Sequence, residues 1–124
     1  MNKQVQELLD AGGFLIGSRA LGVANDESDY DIAISKSNLP NRLKELKGVN
    51  IRDYLHLFPI NNMGNSSMLR QYGVDVLVYD NERTLNAVRE ALEVVKQCPI
   101  ELLKDKNFRI NAFEKALINT GLFE

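Results

Sequence analysis

The 124-residue sequence predicts one α+β domain, a mixed α/β arrangement in which a small mixed sheet is flanked by helices and followed by a helical C-terminal tail. Three observations predict it. Short apolar runs of strand character alternate with segments of helical spacing as far as Asp80. Beyond Asn81 the spacing is helical throughout. The length suits a single core, and no internal repeat or Pro-, Gly- or Ser-rich linker divides the chain, so residues 1–124 are read as one domain.

Val5, Leu8 and Leu9 at helical spacing predict an opening helix over 2–10, ended by Gly12 and Gly13. Phe14, Leu15 and Ile16 form a short apolar strand that stops at Gly17-Ser18, and Arg19 to Leu21 suit one helical turn before Gly22. Residues 29–35, DYDIAIS, alternate polar and apolar as a strand does. Asn38 is expected to cap a helix with Pro40 in its first turn and Gly48 at its end. Residues 49–58 alternate well enough for a strand that Pro59 closes, and INNMGNSS follows as a loop. Ser66 or Ser67 is expected to start a short helix through Tyr72. Gly73 then leads into the apolar strand VDVLVYD. The tail is expected as helices over about 82–96, a short piece to about 105, and about 107–119.

Composition narrows the function classes. No stretch approaches the roughly 20 apolar residues of a membrane-spanning helix, and the N-terminus lacks the layout of a secretory signal, so a cytoplasmic protein with no membrane role is expected. A net charge of -2 argues against broad, sequence-independent nucleic-acid binding, which needs many lysines and arginines to release counterions. Cys98 has no partner for a disulfide and no zinc-ligand spacing around it, and reads as a packed residue beside Pro99. His56 is the only histidine and carries no motif.

The carboxylates at the strand starts demand explanation. Asp29 and Asp31 flank Tyr30, so in an extended strand they face the same way, about 6 to 7 Å apart. Like charges held together are relieved by a cation, and hard oxygen ligands suit magnesium. Asp75 sits among Val74, Val76, Leu77 and Val78, where a carboxylate needs a partner. An arginine is one candidate; another is a shared cleft, if this strand lies beside the one from Asp29, with two metal ions about 3.5 to 4 Å apart for in-line phosphoryl transfer. The acidic run NDESDYD is not an EF-hand: Asp31 and Ser37 fall where the glycine and the closing glutamate belong. Gly17-Ser18, at a strand-to-helix turn, has the donors for an anion, although it matches neither a Walker loop nor a dinucleotide fingerprint.

Taken together, GSRALGVANDESDYDIAI resembles the signature of the polymerase beta-type nucleotidyltransferase superfamily, in which Gly-Ser is followed after a spacer by Asp-x-Asp on a strand. The spacer is the ten residues Arg19 to Ser28, and in that respect the segment is most similar to minimal members acting as antitoxins to HEPN-type ribonuclease toxins. The resemblance covers residues 14–35 closely and 73–79 loosely. It implies a polymerase beta-type fold and a metal-dependent enzyme that moves a nucleoside monophosphate from a nucleoside triphosphate, with ATP the expected donor, to a hydroxyl of a protein such as the toxin, or of RNA. It further implies that Asp29, Asp31 and Asp75 hold two Mg2+ ions, and that Gly17, Ser18 and, less centrally, Arg19 contact the nucleotide. Tyr30 stands where many relatives carry an aliphatic residue. The alternative is a non-catalytic module that acts by docking to its partner.

Overall fold

The computed structural model describes residues 3–44, 67–71, 73–79 and 81–122. Strands and helices follow from the apolar periodicities. Helix α1 (Lys3–Asp10) buries Val5 and Leu8, one turn apart, and ends as the Gly13 N–H donates to the Leu8 carbonyl at 2.9 Å. Strand β1 (Phe14–Ile16) runs straight into the single turn of α2 (Gly17–Ala20). Strand β2 (Tyr30–Ser35) begins one residue later than the sequence suggests, leaving Asp29 in the connection before it.

A 3₁₀ turn (Lys36–Asn38) and α3 (Asn41–Lys44) follow. Asn38 lies in the 3₁₀ turn and does not cap α3, which starts after Pro40, and the expected extension to Gly48 lies outside the described residues. So do the strand expected over 49–58, with His56, and the loop after it. The expected helix from Ser66 or Ser67 through Tyr72 is instead strand β3 (Ser67–Gln71), paired antiparallel with β4 (Val74–Tyr79). The physical reason lies in the connection. Gln71 pairs with Val74, so two residues join the strands, and Gly73 supplies the positive φ (75°) such a tight hairpin requires. Pairing with a buried neighbour overrides the weak helical signal of SMLRQ.

The four strands form one small mixed sheet in the order β1-β2-β4-β3, with β2 and β4 parallel and both outer pairings antiparallel. Alternation along the strands separates two cores. Ile32, Ile34, Val74, Val76 and Val78 pack with Val5 and Leu8 of α1 and Leu43 of α3. Ala33, Leu77 and Tyr79 face the opposite way, into α4 (Glu82–Val95), α5 (Ile100–Leu103) and α6 (Lys106–Asn119). The stripe Leu85, Val88, Leu92 and Val95 on α4 is buried in this second core, and Cys98 packs at its margin. Asn81 caps α4 by accepting from the Thr84 N–H at 3.1 Å, and Asp105 caps α6 by accepting from the Asn107 N–H at 2.8 Å. The chain is thus a mixed α+β domain with helices on both faces of the sheet. No helix among the described residues is long and apolar enough to cross a membrane.

Candidate active site

The site forms where the parallel strands begin. Asp31 of β2 and Asp75 of β4 are direct register partners, and neighbouring strands lie about 4.8 Å apart. Alternation puts both on the face that carries Ala33 and Leu77, the face covered by the C-terminal helices. Asp75 is 4% exposed, and Asp31 is half-buried. The adjacency of the two strands inferred from sequence is therefore present, and it holds two of the three carboxylates side by side.

Asp29 behaves differently. It precedes β2, is exposed, and does not complete a cluster: among the described residues no group of three or more acidic, histidine or cysteine side chains is close enough to share a metal ion. The backbone explains the separation. The Tyr30 N–H donates to the Gly73 carbonyl at 3.0 Å, so the ladder holds the chain from Tyr30 onward and leaves Asp29 outside it.

Gly17 stands against Asp31. The pairing of Ile16 with Asp31 carries the chain past the carboxylate, and Gly17 then turns into α2 with φ of 70°. A Cβ at Gly17 would run into Oδ2 of Asp31. Two independent constraints thus demand glycine: the left-handed backbone and the space filled by the carboxylate. Ile16 contributes no side-chain cap to α2, and the half-buried Ser18 hydroxyl makes no hydrogen bond among the described residues.

Arg19 takes a role the sequence reading did not foresee. Its Nη2 and Nε donate to the Ser28 carbonyl at 2.7 and 3.2 Å, and its guanidinium lies 3.8 Å from the centre of the Tyr30 ring. These contacts clamp the connection between α2 and β2. Tyr30 thereby gains a packing partner. Asn25 tightens the same connection, accepting from the Glu27 N–H at 2.8 Å. The only sequence sign of this clamp was the joint presence of Arg19 and Tyr30, and nothing in their spacing announces a stacked pair.

On its other side Asp75 has Arg70 of β3 as register partner. The same ladder system that brings Asp31 to Asp75 thus sets an arginine position on the strand at the other side of Asp75.

No protein-family model matches the chain, and no curated protein or solved structure matches it.

Proposed function

We propose that this chain is a metal-dependent nucleotidyltransferase of the polymerase beta type, moving a nucleoside monophosphate from a nucleoside triphosphate to a hydroxyl of a protein or RNA acceptor and releasing pyrophosphate. The observation that carries the reading is the Asp31–Asp75 register pair with Gly17 closed against Asp31. Two segments far apart in the chain, each singled out by an anomalous carboxylate, meet at one level of one sheet face.

The donor set fits magnesium. Mg2+ is commonly held by one or two carboxylates, with waters and substrate phosphates completing its shell, and half-exposed Asp31 beside buried Asp75 offers that combination. Asp31 and Asp75, together with Asp29 from the exposed connection, would hold the metal. When bound there, the metal would supply charge neutralisation to the reaction. The protein's own residues orient the reactants. The first turn of α2 offers Gly17 and Ser18 to the terminal phosphates, with the Ser18 hydroxyl as a donor. Arg19 acts indirectly, fixing the connection that ends at Asp29. Asp75 would help to take up the proton of the acceptor hydroxyl.

The test is incubation of the full chain with each labelled nucleoside triphosphate and Mg2+, together with candidate protein and RNA acceptors, followed by intact-mass analysis. Transfer of a nucleoside monophosphate with matching pyrophosphate release is the expected result. Absence of both with every acceptor overturns the enzymatic reading in favour of a docking module.

A further inference from the structure

Among the described residues the sheet ends at β1, and a groove lies beside that strand. An open cavity of about 450 Å³ runs along β1 between α1 and α4. It is lined by Phe14 and Leu15 of β1 and by three cations, Arg19, Arg89 and Lys96, against a single carboxylate, Glu93. The cations are held in place: Arg19 by the Ser28 carbonyl and Tyr30, Arg89 over the Phe14 ring at 4.7 Å, and Lys96 by Glu93 at 3.1 Å. A protein with a net charge of -2 thus concentrates positive charge on one strand edge.

We propose that this groove takes up an extended acidic segment of a partner protein, which pairs with β1 as an added strand. An outer strand presents backbone donors and acceptors to a fresh strand, and the groove adds apolar lining from Leu9, Phe14, Leu15 and Leu92. The three cations select for acidic side chains. Two other occupants fit less well. A second copy of the chain paired edge to edge would bring Arg19, Arg89 and Lys96 of both copies together. A nucleic-acid backbone is gripped by many cations spread along its length, and three around a short pocket beside a β edge do not form such a track. The docking does not depend on nucleotide transfer, so it stands or falls separately from the proposed activity.

The test uses the full chain and a fluorescein-labelled heptapeptide of alternating glutamate and valine, followed by anisotropy and amide hydrogen exchange. Saturable binding is expected, with new protection at Phe14 to Ile16. A lysine-valine counterpart should bind at least about tenfold more weakly, as should the acidic peptide to the double variant Arg89→Glu, Lys96→Glu. Both altered residues are exposed, and circular dichroism checks that the variant is folded. A peptide N-methylated at alternate residues should lose binding, an arm that needs no protein variant. Equal binding of the N-methylated peptide, protection confined to other segments, or no saturable binding of the acidic peptide overturns the proposal. So does tighter binding of a single-stranded RNA heptamer than of the peptide.

Discussion

At the upstream end of the β2–β4 pair the register partners are Asp31 and Asp75; at the downstream end they are Ser35 and Tyr79. Both pairs lie on the same sheet face, separated by the apolar layer of Ala33 and Leu77. Downstream, the polar groups are neutral and fully enclosed: Ser35 is 6% exposed with its Oγ 2.9 Å from that of Ser37, and Tyr79 is 0% exposed. Burial pushes the Tyr79 phenol above its usual range. Upstream, the groups are carboxylates, one of them half-exposed, and a glycine makes room for it. Neutral hydroxyls can be sealed into a core at small net cost when they are hydrogen-bonded, whereas adjacent carboxylates call for water or a cation. One strand pair therefore has an end built for packing and an end built for charge.

The largest expected effect separates the two ends by activity. Asp31→Asn and Asp75→Asn should each lower nucleotide transfer at least about 100-fold in the labelled-triphosphate assay. Tyr79→Phe should leave transfer unchanged, and equal losses at both ends would erase the distinction. The next effect concerns fit at the upstream end. Gly17→Ala should cost about 1–3 kcal/mol in urea unfolding, from left-handed backbone strain and the displaced carboxylate. In a double-mutant cycle, Asp31→Ala should recover at least about 0.5 kcal/mol of that loss; strict additivity would show that the carboxylate is not what fills the space. The smallest effect belongs downstream, where Tyr79→Phe should cost about 1 kcal/mol at neutral pH. Because the folded phenol is raised above the ordinary value of about 10, its contribution is complete below that pH and is lost as pH climbs past it, when the unfolded chain ionises. Alkaline titration of thermal stability should therefore fall less steeply for Tyr79→Phe than for the parent.

Much of this contrast was legible in the sequence, for physical reasons that differ by residue. Asp75 stood out because a charge among Val74, Val76, Leu77 and Val78 is costly wherever that strand lies. The helices of the tail were visible because a buried stripe such as Leu85, Val88, Leu92 and Val95 repeats locally. What could not be read is what depends on distant pairing. The strand Ser67–Gln71 is a strand because β4 is beside it, and its own residues carry little of that information. Asp29 and Asp31 looked equivalent in DYDIAIS, yet the ladder begins at Tyr30 and treats them differently. Arg19 matched a position in a motif while its geometry answers to Ser28 and Tyr30.

The register that joins Asp31 to Asp75 also has a temporal meaning. Asp31 meets Gly17 through neighbouring elements, but it meets Asp75 only when β4, made much later, closes against β2. Closing that long segment is the entropically demanding step in assembling the sheet. During synthesis a ribosome-bound chain that has not yet released β4 carries half a charge site, so the carboxylate pair exists only once the parallel sheet is complete.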